Sequence, residues 1–420
     1  DLILGEAPGL LAVGRHRTLE EWLSGLPRET READPWLAFW YGACRAPFRP
    51  EEAIPDLERA YAGFEARADP TGLYLAWSEI VSAHAFYSGD LRPLDHWLEQ
   101  LDALGERFPG FPDPEVGLRV ATSAAVALMW HRPDPQLVRV WEERILATVH
   151  SGPLTGPALM ATIQIGLYHA SLGRLDRTGT VLELIRRRMD APETPALLRT
   201  GADLLEAIIA QYGCDNDAWI QATERGLQRV ADTGIRGLEP SFLSLAVYGH
   251  LNAQDLPAAH RFLDRFSAVA DQSPPADRAH YHEVLAWTAL AEGQGAEALE
   301  QARLARELIT RTGMPFGEAF IQLALTLSRG TVGDFRGAHE ELERAHALAE
   351  FMASPMLLQA CAFARAYLSH IQGDAEVRRQ ALGEALELGE QYGLYNSALS
   401  FPWLLRPLLQ VAVHEGLSGE

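Results

Sequence analysis

The sequence predicts an all-α chain: a right-handed superhelix, or solenoid, of about nine helix pairs with a period near forty residues. Three observations carry this. Small turn residues recur at a fixed step along most of the chain. No run of alternating Val, Ile and Thr with hairpin turns interrupts the helical pattern. Finally, 420 residues exceed what one hydrophobic core supports, which leaves several domains or one repeat array.

Gly173, Gly213, Ala253, Gly293, Gly333 and Gly373 stand forty residues apart, in contexts such as Leu172-Gly173-Arg174-Leu175-Asp176 and Gln372-Gly373-Asp374-Ala375. Gly89-Asp90, His131-Arg132-Pro133-Asp134 and Phe48-Arg49-Pro50 continue the series towards the start, giving nine turns. Before each turn, apolar and small residues follow helical spacing, as at Ala362, Ala366 and Leu368. A second amphipathic stretch follows, as at Ala338, Leu342, Ala345 and Leu348. Glycine supplies the left-handed conformation that ends one helix, and aspartate caps the next. Breaks such as Thr312-Gly313-Met314-Pro315 and Ala353-Ser354-Pro355 close each unit. Ala298, Ala302 and Ala305 allow paired helices to approach closely. One helix pair cannot bury its own apolar face, so neighbours stack, and eighteen to twenty helices are expected.

This pattern is TPR-like, and a single TPR-like domain over residues 1–420 is expected. Residues 1–48 form its opening helices, 49–392 the regular repeats and 393–420 a C-terminal capping helix. The first residues, beginning at Asp1, read as a helix in progress, so a longer protein is expected around them. The longest apolar run, 120–130, is too short for a membrane span. Cys44, Cys214 and Cys361 lack the spacing of a disulfide framework or zinc site and read as reduced thiols of a cytoplasmic protein.

Lysine is absent; all 36 basic residues are arginine. A P-loop therefore has no lysine to complete it, and a PLP-type Schiff base has no amine. The net charge of −21 opposes direct nucleic-acid binding, which needs a basic stripe. The one tight basic run, Arg186-Arg187-Arg188, ends a predicted helix, where cations suit the dipole.

The first fifty residues carry a more specific pattern. Gly14-Arg15-His16-Arg17-Thr18-Leu19-Glu20-Glu21-Trp22-Leu23-Ser24-Gly25-Leu26-Pro27, followed by Asp34-Pro35-Trp36-Leu37, resembles the start of the superhelical region in MalT-like bacterial transcriptional regulators. The resemblance implies a STAND-type, LuxR-like regulator whose nucleotide-binding module precedes this chain. ATP or ADP would bind there, and no cofactor is expected in this chain. It also implies that the array receives a small-molecule inducer or a regulatory protein and communicates with other modules of the same polypeptide. The family's nucleotide-binding and DNA-reading residues have no counterpart here, and no local motif fixes its effector contacts, so none is carried over.

Candidate chemistry is sparse. His280-Tyr281-His282-Glu283 is the densest functional cluster, but adjacent positions point to different faces, and a helical metal site wants ligands at i and i+4. No G-x-S-x-G elbow exists, so no enzyme is expected. In TPR-like stacks the first helix of each pair lines the concave face. Counting back from each turn turns Trp36, Phe39, Glu79, Phe86, His250, His280, Glu283, Trp287, Tyr367 and His370 inwards as binding candidates. Two functions follow: an effector- or partner-binding sensor within a transcriptional regulator, or a freestanding TPR adaptor for protein–protein interaction. Self-association through Ala/Leu-rich end helices near Leu404 and Val413 is a further expectation.

Overall fold

The computed structural model describes residues 2–12, 14–151, 156–189, 194, 196–234, 237–271, 273–396 and 401–417. Among these residues the chain forms twenty-two α-helices and one π-helical stretch, with no strand. It divides into two compact units, residues 1–132 with 136–153, and residues 133–135 with 154–420.

The first unit opens with α1 (Leu2–Ala12), α2 (His16–Ser24) and α3 (Arg28–Ala33). Three repeat pairs follow: α4 (Pro35–Arg45) with α5 (Pro50–Arg67), α6 (Pro70–Ser82) with α7 (Leu94–Arg107), and α8 (Pro114–Trp130) with α9 (Pro135–Ser151). Proline at the first turn and aspartate before it start α4, α6 and α8: Asp34 accepts from the amides of Trp36 and Leu37, Asp69 from that of Gly72, and Asp113 from those of Glu115 and Val116. In the Thr18–Pro27 motif, Leu19 and Leu23 are fully buried, while Trp22 is 40% exposed. The motif helix is anchored by Glu20, which pairs with Arg49. Buried Arg45 in turn pairs with Asp56 at 2.8 Å and with Glu52.

One local feature had no sequence signal. α6 does not end at a simple turn but runs into a π-helical stretch, Ala83–Ser88. The wider turn shifts side-chain register between Gly89 and α6.

The second unit contains six further pairs. They are α10 (Gly156–Leu172) with α11 (Leu175–Met189), α12 (Ala196–Tyr212) with α13 (Asn216–Thr233), and α14 (Glu239–Asn252) with α15 (Leu256–Ala270). Next come α16 (Pro275–Ala291) with α17 (Gly295–Ile309), α18 (Pro315–Thr331) with α19 (Phe335–Phe351), and α20 (Pro355–Gln372) with α21 (Ala375–Tyr392). A last helix, α22 (Pro402–Glu415), packs on α20 and α21. The nine pairs match the nine turns read from the sequence; α1, α2, α3 and α22 raise the helix total above the expected eighteen to twenty.

The turn chemistry matches the sequence reading at Gly173, Gly293, Gly333 and Gly373, all with φ between 75° and 85°. At two turns it differs. The left-handed residue is Cys214 (φ 60°) and not Gly213, and Gln254 (φ 58°) and not Ala253. In both, the first helix ends one residue later than the glycine spacing implies, with Asp215 and Asp255 then capping the next helix. Asp334 and Asp374 cap α19 and α21 in the same way. Ala298, Ala302 and Ala305 are fully buried, and α17 lies closely against α16.

Contacts within this unit sort the helices into two layers. Each first helix packs on the next first helix, through α10, α12, α14, α16, α18 and α20, and α20 packs back on α10. Second helices pack on their own partner and on the following first helix. The first helices therefore form an inner row that closes on itself. The closure is a latch between two turns. The Ser354 hydroxyl donates to the Leu172 carbonyl at 3.2 Å, and the Arg174 guanidinium donates to the Ala353 carbonyl at 3.0 Å. At Gly173 a Cβ would lie only 2.6 Å from the Met356 Cβ and 3.2 Å from Leu394 Cδ2.

Candidate binding site

The inner row of the second unit gathers the polar and aromatic side chains that the sequence scattered. On α16, His280, Glu283 and Trp287 are spaced three and four residues apart and so share one face. Glu283 is 3% exposed and is the centre of the cluster. Its Oε1 accepts from the Trp287 indole Nε1–H and, at 3.3 Å, from the Tyr248 hydroxyl of α14. Its Oε2 lies 2.8 Å from His280 Nδ1. A buried carboxylate requires such donors, because leaving its charge unpaired in an apolar layer is costly.

The ionisation of the site follows from this geometry. Burial lowers the His280 pKa, but the hydrogen bond and charge of Glu283, with the charge of Asp277, outweigh it, so the net displacement is upward. Burial raises the Asp277 carboxyl, tempered by His280. Burial and the neighbouring Glu283 push the Tyr248 phenol well above its ordinary value, so Tyr248 remains a donor. A histidine raised in the folded state stabilises fully below its unfolded pKa of 6.5, and this contribution fades as pH rises through the higher folded value. We therefore expect the stability difference between the native chain and His280→Gln to be largest at pH 5.5 and to shrink by pH 8.5 in urea titrations. A constant difference across that range would refute the coupling. The comparison with His280→Gln is needed because His16 and His84, in the first unit, are lowered by burial and act in the opposite sense.

The face is covered by the chain's own C-terminal segment. Phe401 stacks on Trp287 with ring centroids 5.5 Å apart and lies 6.1 Å from the Tyr248 ring. Trp403 stacks on Phe401 at 6.4 Å and meets Tyr367 of α20 edge-on at 5.6 Å. Upstream, the Tyr395 and Asn396 amides donate to the Tyr212 carbonyl at the end of α12, at 3.1 and 3.2 Å. The Asn252 side-chain amide of α14 donates to the Asn396 side-chain oxygen at 3.1 Å.

Of the ten residues expected to line the concave face, His280, Glu283, Trp287 and Tyr367 come together here, the last through Trp403. Trp287 is 1% exposed, so it forms the floor of the cluster, with Phe401 above it. His250 lies in the last turn of α14, stacked on Phe262 at 5.4 Å and 3.8 Å from Asp255. His370 is half-buried near the end of α20, with a buried Nδ1 that has no hydrogen-bond partner.

The other four candidates belong to the first unit. Phe39 is 1% exposed and packs among Trp36, Trp40 and Phe64, so it is core and offers no surface to a ligand. Half-buried Trp36 packs against the same rings, 4.8 Å from Phe64. Glu79 is half-buried, its carboxyl raised by burial and partly restored by Arg119. Phe86 falls in the π-helical stretch, and its side chain lies outside the described residues.

Tyr248, Asn252, Asn396, Phe401 and Trp403 were not singled out from sequence. The available signal was Phe401-Pro402-Trp403, two aromatics flanking a helix-starting proline in a stretch assigned to capping.

No family model matches the chain, and no curated protein matches it. Solved structures do. A Rap protein complexed with competence and sporulation factor superposes with a TM-score of 0.52 at 12% identity, covering 81% of this chain and 99% of that one. NprR in complex with its cognate peptide NprX gives 0.50 at 9% identity, covering 80% and 98%. At these identities the likeness establishes the fold: an all-α solenoid of TPR-like helical repeats.

Proposed function

We propose that the inner row of first helices in the second unit is a recognition face for a peptide or small regulatory partner, and that the chain is a sensing module and not a catalyst. One observation carries this reading: a buried carboxylate, Glu283, is held by Trp287, Tyr248 and His280 under an aromatic shelf on that face. A recognition site needs this combination of broad apolar surface with a few fixed polar groups. The Rap protein complexed with competence and sporulation factor and NprR complexed with its peptide NprX support it as proteins of the same fold that hold small partners.

The fuller setting we propose is the sensor region of a cytoplasmic STAND-type transcriptional regulator. Its support is the Thr18-Leu19…Trp22-Leu23…Leu26-Pro27 motif, whose leucines pack the opening helices. ATP or ADP would then bind a separate module. A freestanding adaptor is the second reading, and it uses the same face.

Panning a random twelve-residue phage-displayed peptide library on the full chain tests the recognition face. Enriched peptides whose binding is lost in a His280→Ala, Tyr367→Ala double variant are the expected result. No enrichment, or enrichment that the double variant retains, would overturn the assignment.

A further inference from the structure

We infer that the C-terminal segment, through its described residues 394–396 and 401–403, is a tethered internal ligand, and that the external partner of this face is an uncharged peptide with a similar pattern. That pattern is an asparagine followed five residues later by aromatic–Pro–aromatic. The inference rests on the recognition face proposed above and names its partner class.

Four features support it. First, the described residues of the segment, 394–396 and 401–403, touch four different repeats: Tyr212 on α12, Tyr248 and Asn252 on α14, Trp287 on α16 and Tyr367 on α20. A helix that merely caps a solenoid covers the last pair, which is what α22 itself does from Leu404, Leu408 and Ala412 onward.

Second, its contacts have the form of peptide recognition. Backbone amides of Tyr395 and Asn396 satisfy the Tyr212 carbonyl, one of the carbonyls that α12 leaves without an intrahelical partner. A side-chain amide pair, Asn252 with Asn396, fixes register, and two aromatic side chains take the shelf.

Third, the fit is incomplete. The Trp403 indole nitrogen is buried without an acceptor, while Tyr395 is 65% exposed. A bound group with a buried, unsatisfied donor forfeits free energy that a better-matched competitor can recover.

Fourth, residues 394–403 contain no charged side chain in a chain of net charge −21. An acidic segment would meet Asp277 and Glu283 across the same face, and like charges there are unfavourable.

A tether of this length holds its ligand at an effective concentration of about millimolar, so an external peptide must compete with it. The test uses a fluorescein-labelled synthetic peptide of residues 394–405 and fluorescence anisotropy. It compares the native full chain with the full chain carrying Phe401→Ala and Trp403→Ala. At least tenfold tighter binding to the double variant is expected, because the internal competitor has been disabled. Equal binding to both chains, or binding to neither, would overturn the inference.

Should the double variant lose its helical circular dichroism, Trp403→Ala alone carries the same comparison. Hydrogen exchange on the native chain gives an independent readout. Excess unlabelled peptide should speed exchange at the Tyr395 and Asn396 amides, and unchanged exchange at saturating peptide would count against displacement. Failure here alongside successful library panning would leave the recognition face intact and remove only the internal ligand. Panning repeated on the Phe401→Ala, Trp403→Ala chain, whose internal competitor is disabled, decides the face: no enrichment there would remove it.

Discussion

Gly173→Ala is expected to destabilise the second unit by about 3 kcal/mol, far more than the same change at the equivalent glycine of another repeat. Two costs combine. A φ of 78° is left-handed, and a residue with a Cβ pays about 1–2 kcal/mol to hold it. The new Cβ would also sit 2.6 Å from the Cβ of fully buried Met356, and overpacking of this kind costs about 1–3 kcal/mol. Gly333 has almost the same conformation, φ 85°, with nothing within 4 Å of an added Cβ, so Gly333→Ala should cost only the backbone share, about 1 kcal/mol. Urea unfolding of both variants measures the contrast. Hydrogen exchange at the α10–α11 and α19–α20 turns should localise the Gly173 effect to the latch formed by Leu172, Arg174, Ala353 and Ser354. Equal costs at the two glycines would show that closure of the inner row does not depend on that approach.

Glu283→Ala is the second large effect, at about 3 kcal/mol. The Trp287 indole N–H, on a side chain 1% exposed, would lose its acceptor, and a buried donor left unmade costs about 1–3 kcal/mol. The Tyr248 hydroxyl would lose its partner and His280 its counter-charge, and the truncated side chain would leave a void beside Trp287 and Tyr248. Glu283→Gln keeps an oxygen for Trp287 and Tyr248 and should cost about 1 kcal/mol. Denaturation midpoints of the three proteins at one pH provide the check. A Glu283→Ala cost no larger than that of Glu283→Gln would mean that the carboxylate does not organise the cluster.

The same residues separate what the sequence could specify from what it could not. Helix pairing was legible because it depends on neighbours in the chain. Proline and aspartate at helix starts, glycine at φ near 80° and alanine stripes such as Ala298, Ala302 and Ala305 act within one or two turns of their own position. So the sequence alone determined an all-α repeat, its nine pairs and its forty-residue step. It also placed His280, Glu283 and Trp287 on one face of α16, because i, i+3 and i+4 spacing is itself local. Two left-handed positions slipped by one residue, to Cys214 and Gln254, because a helix C-terminus can absorb one more residue at little cost. The π-helical stretch at Ala83–Ser88 left no compositional mark, and Phe39 faces the core because Trp40 and Phe64 close around it.

Tertiary structure alone decided the rest. That α20 returns to α10, that Tyr248 reaches Glu283 across 35 residues, and that Phe401 lands on Trp287 across more than a hundred depend on the small rotation accumulated at each repeat. That rotation is set by side-chain packing between helices, and no local pattern encodes its sum.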